Sequence, residues 1–349
     1  MDILLDKETQ AIVQRMNDRT RQLIAEGKII VPQPKKSGPQ EIIIKAEALD
    51  TSKLQEGQGT KQYRPNTLDE YIGQQRAKDR ITTYFNGCKR EGEPFPHTFL
   101  SAQAGHGKTL LAEIIANMLN LKCVKTTGGE LKSEQQFIDK VVECDGGIIF
   151  IDEANRINKR VGFFMLPVIE KFEVGNKSLK PFTVIFATTH IGDISKDLDA
   201  LIQRCDLKLE LEHYNTENLV TILKNYHTKQ YPRIDVEPHI YEEVAKNCRK
   251  TPRIARTLLR EYIFTKNWNQ VKENYGIIKD GITHTDVKIL KYLVQFDGVG
   301  MNTLANFLRV KPQTYQNDME PYLVHSEFIT VSNHRKITEQ GKLFLKELQ

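Results

Sequence analysis

The segment Ala102-Gln103-Ala104-Gly105-His106-Gly107-Lys108-Thr109 constrains this chain more than any other. It lies between an apolar run at His97–Ser101 and a helical pattern over Lys108–Asn120. Glycines placed just before a helix let backbone N–H groups wrap an anion, and the helix N-terminus adds its positive dipole end. Lys108 is then in reach of β/γ-phosphate oxygens, and the Thr109 hydroxyl can ligate Mg²⁺. The usual pattern has glycine where Ala102 stands, but Gly105, Gly107, Lys108 and Thr109, which touch phosphate most closely, are intact. A Gly-Lys-Thr triplet alone is common; the strand-loop-helix setting gives it weight. One strand-helix-strand unit later, Ile148-Ile149-Phe150-Ile151 delivers Asp152 and Glu153 at a strand end. The carboxyl ends of strands are where an open α/β sheet binds ligands. Asp152 is expected in the Mg²⁺ shell and Glu153 beside the attacking water, so the two motifs together imply nucleotide hydrolysis with ATP and Mg²⁺.

The pattern around these motifs is α/β. Apolar runs at His97–Ser101, Gly147–Ile151 and Phe182–Ala187 alternate with amphipathic helices such as Glu134–Val142. Continuous apolar strands between helices read as a parallel sheet covered on both faces. After Tyr214 the strands stop and helices dominate to about Lys272. From His284, helices over Asp286–Phe296, Asn302–Leu308 and Pro312–His325 lead into strands Phe328–Val331 and Lys336–Thr338 around the turn Ser332-Asn333-His334-Arg335. Three helices ending in a hairpin make a winged helix-turn-helix.

Length and charge set the frame. At 349 residues the chain suits two or three domains. A net charge of +5 permits nucleic-acid binding without arguing for it. Cys88, Cys123, Cys144, Cys205 and Cys248 are scattered and lack metal-ligand spacing, which fits a reducing compartment. No run approaches the ~18 apolar residues of a membrane span, and the N-terminus has no leader pattern, so a cytoplasmic protein is expected. Residues 2–26 put Leu5, Ile12, Met16 and Leu23 on roughly one helical face, which either packs on its own body or docks on a neighbour. Residues 32–62 read as a Pro-, Gly-, Gln- and Lys-rich linker with Ile42-Ile43-Ile44 as a short strand inside it.

Four further stretches carry a family resemblance. Arg64-Pro65-Asn66-Thr67-Leu68-Asp69-Glu70-Tyr71-Ile72-Gly73-Gln74 resembles the opening of the ATPase domain in RuvB proteins and clamp loaders. Pro181–Thr189 resembles the RuvB sensor-1 strand, Thr251-Pro252-Arg253-Ile254-Ala255-Arg256 its sensor-2 helix, and Glu320-Pro321-Tyr322-Leu323 its C-terminal domain. The likeness to RuvB branch-migration ATPases runs in order over about residues 62–349. It implies an AAA+ P-loop parallel-sheet domain at 61–212, a small helical lid at 213–282 and a winged helix at 283–349, after an N-terminal arm at 1–60.

The same resemblance assigns residues. Thr189 would be sensor 1, and Arg204 the finger that reaches a neighbouring subunit's ATP, so a ring is implied, most simply a hexamer. Arg253 would be sensor 2. Tyr63, Arg64 and Tyr214 would flank the adenine, with Tyr71, Ile72, His106 and Leu110 completing the nucleotide-facing set. DNA would meet the wing at His334, Arg335 and Lys336, although Val331 stands where another basic residue is expected. A second basic run, Lys246, Arg249, Lys250, Arg253, Arg256, Arg260 and Lys266, reads largely as a solvated helix face.

The chain also departs from the family. Phe172 and Pro181 are separated by only eight residues, where the family carries a longer apolar hairpin that grips its partner RuvA. Eight residues make a tight turn around Gly175-Asn176, so a RuvA-type partner is doubtful. The implied function is an ATP-driven DNA motor of branch-migration type. Its rival is an ATP-gated loading factor, because Gln203-Arg204-Cys205 resembles the clamp-loader finger motif; the winged helix favours the motor.

Overall fold

The computed structural model describes residues 63–189, 196–296 and 298–348. The helical face read over 2–26 and the strand at Ile42–Ile44 lie outside the described residues. The centre is a five-stranded sheet of order β2-β3-β6-β1-β7, parallel throughout. Its strands are β1 Thr98–Ser101, β2 Cys123–Thr127, β3 Ile148–Asp152, β6 Thr183–Thr188 and β7 Leu207–Glu210; a small hairpin, β4 Glu173–Val174 with β5 Lys177–Ser178, stands apart from it. β1 lies in register with β6 through Thr98–Ile185 to Ser101–Thr188, and β3 with β6 through Ile148–Thr183 to Ile151–Phe186.

Position in the sheet explains the residue pattern. Central strands are covered on both faces and are buried throughout, as in β1 and β6. Edge strands alternate: β7 buries Leu207 and Leu209 and exposes Lys208 and Glu210, and β2 buries Val124 and Thr126 around an exposed Lys125. Alternate side chains of the central strands feed two cores. Phe99, Ile149, Ile151, Val184 and Phe186 pack with α3 Glu134–Cys144, α4 Lys159–Lys171 and α5 Lys196–Gln203. Leu100, Ile148, Phe150, Ile185 and Ala187 pack with α1 Gln75–Glu91 and α2 Lys108–Leu119.

A helical cluster follows, built from α6 Thr216–Gln230, α7 Pro238–Asn247, α8 Pro252–Thr265 and α9 Trp268–Asn274. Proline opens both α7 and α8, where its missing N–H costs nothing. A hairpin of β8 Ile277–Lys279 and β9 Ile282–Thr283 then leads to the last cluster. That cluster contains α10 His284–Gln295, started by a Thr283/Asp286 capping box, and α11 Met301–Leu308. The third helix is not continuous: an α turn at Pro312–Thr314 widens to a π turn over Tyr315–Met319 and returns to α at α12 Glu320–His325. β10 Ile329–Val331 pairs with β11 Arg335–Ile337 as the wing. Val299 adds a bridge to Arg335, and α13 Glu339–Glu347 closes the cluster. The third helix is thus interrupted and a fourth follows the hairpin.

Candidate active site

The carboxyl ends of β1, β3 and β6 converge on one cleft of about 500 Å³. β1 runs into the loop that carries Gly105 and Gly107, both with left-handed backbone (φ +81° and +97°). Close approach forbids a side chain at either. A Cβ on Gly105 would meet Thr251 Cγ2 at 2.8 Å, and one on Gly107 would meet the Tyr71 hydroxyl at 2.8 Å. α8 therefore presses its N-terminal end directly on the loop.

Lys108, the first residue of α2, is buried, and its Nζ donates to the carbonyls of Ala102 at 2.7 Å and Gln103 at 3.3 Å. Burial pushes the ammonium down to about 8, with the nearby Asp152 carboxylate acting against that shift and Arg253 adding to it. A buried cation facing a cleft beside a second cation fits an anionic ligand. Asp152 ends β3, and its Oδ1 accepts from the Glu153 N–H at 2.9 Å. Glu153 is itself left-handed (φ +49°) and pairs with Arg156 at 3.1 Å. Thr189 follows β6 and also lines the cleft; the preceding Thr188 hydroxyl donates to Asn155 Oδ1 at 3.3 Å. Thr109 and Asp152 give the cleft the oxygen donors that a hard divalent cation takes.

A narrower apolar slot of about 70 Å³ adjoins the cleft and shares Gly107, Leu110, Tyr226, Pro252 and Arg256 with it. Tyr63, Tyr71, Ile72, His106 and Tyr214 are among the residues that line its remainder. The Tyr71 and Tyr214 hydroxyls both donate to the His106 carbonyl, at 3.3 and 3.5 Å. Arg64 lines the phosphate-sized cleft rather than the slot, and its guanidinium pairs with Glu113 of α2 at 3.2 Å. The two spaces together have the form of a base slot leading to a phosphate bed.

Most of the basic run on the helical cluster is exposed, with Arg249 and Arg256 half-buried, yet part of it serves the cleft. Arg253, Arg256 and Arg260 all line the cleft from α8, and Arg256 lies 4.4 Å above the Tyr226 ring while donating to the Tyr63 carbonyl at 3.3 Å. Their spacing of three to four residues places them on one helical face, and that was the available signal. Tyr226 had none, since it is one apolar position among several on α6. Arg204 sits away from the cleft lining, donating from Nε to Glu170 at 2.6 Å and from Nη1 to the Ala200 carbonyl.

On the wing, His334 and Lys336 are exposed. Arg335 is not available there: it is 9% exposed and makes a two-point ion pair with Glu320 at 2.6 and 3.0 Å. That pairing holds its guanidinium above the usual range. Arg335 points into the domain because side chains alternate along β11, with Arg335 inward and Lys336 outward, so it locks the wing to α12 instead of contacting DNA.

A parallel sheet whose strand ends present a phosphate loop and an Asp-Glu pair under an arginine-bearing helical roof defines a P-loop ATPase of the AAA+ class, here joined to a winged helix. Family models agree: residues 63–207 match the Holliday junction DNA helicase RuvB P-loop domain, and residues 279–346 match the RuvB C-terminal winged helix domain. The chain is 31% identical to the Holliday junction branch migration complex subunit RuvB of Thermotoga maritima, over 82% of this chain and 93% of that one. It is 30% identical to the corresponding subunit of Ligilactobacillus salivarius, over 80% and 88%. The solved Thermotoga maritima RuvB Holliday junction branch migration motor superposes with a TM-score of 0.72 at 32% identity, covering 81% of this chain and 98% of that one. The chain belongs to the RuvB family, and it is an ATP hydrolase. Among the described residues, no helix is long and apolar enough to cross a membrane.

Proposed function

We propose that this protein is an ATP-driven motor on branched DNA, acting as a homo-oligomeric ring, most simply a hexamer, in the cytoplasm. The observation that carries the reading is the cleft itself: Lys108, Asp152, Glu153 and Thr189 at aligned strand ends, roofed by Arg253, Arg256 and Arg260. Its relatives are named as subunits of a Holliday junction branch migration complex.

The tyrosines of the slot hold the base, and the loop N–H groups with Lys108 hold the phosphates. Mg²⁺ held between Thr109 and Asp152 would neutralise phosphate charge. Glu153 orients the attacking water and takes its proton. Thr189 bonds the γ-phosphate or that water, and Arg253 closes α8 on the nucleotide. Arg204 serves a neighbour's site, which agrees with its distance from its own cleft; leaving Glu170 is then part of subunit engagement. His334 and Lys336 contact the DNA backbone from the wing.

The connection between α4 and β6 is a hairpin of two-residue strands with Gly175 left-handed at its turn. Over residues 173–180, Val174 and Leu179 are half-buried and the rest, Gly175 apart, is exposed polar surface. An interface depends on a few buried apolar anchors, so this hairpin does not serve as a RuvA dock. A pull-down against RuvA should recover nothing; tight binding would return the chain to the ordinary complex. The loading-factor reading is separated by turnover: a motor hydrolyses ATP continuously while displacing a branch of a four-way junction, and a switch hydrolyses once per binding event.

A further inference from the structure

Two consecutive non-glycine residues, Arg249 and Lys250, are left-handed (φ +52° and +54°). Such backbone is uncommon for one residue with a side chain and persists when its surroundings over-determine it. The pair directly precedes Thr251, Pro252 and Arg253, the residues that cap the phosphate loop and enter the cleft. Among the described residues, the side-chain partners of the pair come from beyond residue 280. Arg249 ion-pairs with buried Asp286 of α10, donates to the Gly281 carbonyl at 3.0 Å and lies 5.1 Å from the Tyr322 ring centre. Lys250 donates to His325 Nε2 at 3.0 Å.

A second path from His325 reaches the same loop. Its ring lies against His213 with centroids 4.0 Å apart, and His213 Nδ1 is 3.3 Å from His106 Nε2. His106 is 1% exposed and sits between Gly105 and Gly107. The winged helix thus touches the phosphate loop from one side through imidazoles, and holds the approach to Arg253 from the other.

We infer that the winged-helix domain is a positioning part of the ATP site, in which Asp286 and His325 hold the strained Arg249-Lys250 pair and so set Arg253 and the phosphate loop for nucleotide. Neither residue touches ATP; both act through residues that do. The inference rests on the reading of Arg253 as a phosphate ligand. Its consequence is reciprocal: whatever pulls the winged helix from the lid weakens ATP binding, and ATP strengthens that contact.

Proton binding supplies an independent handle. Burial lowers all three imidazoles, His213 to about 4, with His325, His106 and Lys250 adding repulsion there. The charged groups facing the chain are Lys250 and Glu327 around His325, and Lys108 near His106. An undocked imidazole titrates near 6.5, so protons favour the undocked form. The contact is complete above ~6.5 and is lost as pH falls below it.

The test uses the full-length protein and ATP hydrolysis, with KM and kcat taken separately. Asp286→Asn keeps side-chain size and the α10 cap but removes the charge facing Arg249. It should raise KM for ATP roughly fivefold with kcat changed less than about twofold. In an Arg253→Ala background the same change should add nothing, because the group being positioned is gone. His325→Phe keeps a ring against His213 and should shrink the rise in KM that the wild type shows below pH ~6.5, because one of the three titrating imidazoles is gone. If Arg253→Ala alone leaves KM unmoved, the underlying reading of Arg253 fails. If it raises KM while Asp286→Asn and His325→Phe match the wild type across pH, the positioning role is overturned. Loss of kcat together with a lowered melting temperature would reduce the contact to packing and overturn it equally.

Discussion

Glu153 and Lys108 sit within one cleft, yet backbone and burial set their chemistry differently. Glu153 leaves β3 in a left-handed conformation that turns its carboxylate toward the cleft. Glu153→Gln should keep ATP binding, since Lys108 and Asp152 remain, while cutting turnover by roughly 10²-fold or more, measured by steady-state phosphate release. Near-normal turnover would mean that another group orients the water. Lys108 is buried against carbonyls, and that burial pushes its ammonium down to about 8. The sign follows from linkage. Below that value the free enzyme already carries the charge that phosphate needs; above it, binding must take up a proton. ATP affinity should therefore be flat between pH ~6.5 and 8 and about tenfold weaker at pH 9 than at pH 7, by nucleotide titration. Lys108→Arg keeps its charge throughout and should remove that slope, whatever it does to absolute affinity.

At the scale of elements, the wing shows how one strand divides its labour. Lys336 faces out and Arg335 faces in, one residue apart on β11. Lys336→Ala should weaken duplex binding and lower its salt slope by ~1, leaving the melting temperature unchanged. Arg335→Ala strands a buried Glu320 and should cost ~3–5 kcal/mol of stability in thermal unfolding. Reversed outcomes would show the wing assigned the wrong way round. This pair also marks what sequence could reveal. Central strands were legible because cover on both faces demands unbroken apolar runs, as in Ile148–Ile151. The edge strands Cys123–Thr127 and Leu207–Glu210 were not, because one exposed face dilutes the run with Lys125, Lys208 and Glu210. The phosphate loop and Asp152-Glu153 were legible because their chemistry is local in the chain. Tyr226, the burial of Arg335 by Glu320 and the path from His325 to His106 depend on contacts between residues 15 to 112 positions apart, which no local pattern encodes.

For the whole molecule, the central claim is that ATP hydrolysis in a ring drives DNA movement. Arg204 lies outside its own cleft and is held by Glu170, so the finger role proposed for it requires a second copy. Arg204→Ala should leave the monomer folded and ATP-bound while reducing turnover, with arginine fingers worth roughly 10³-fold or more. Mixing that variant with Lys108→Ala should restore part of the activity, because one subunit brings an intact bed and its neighbour an intact finger. Mixed rings no more active than either parent would remove the role in trans. The most direct measurement follows dissociation of a labelled synthetic four-way junction by the full-length protein, with phosphate release recorded in the same reaction. The account predicts continuous ATP turnover stimulated by the junction, with separation of its arms that disappears in Glu153→Gln. Junction binding with a single round of hydrolysis and no arm separation would contradict it.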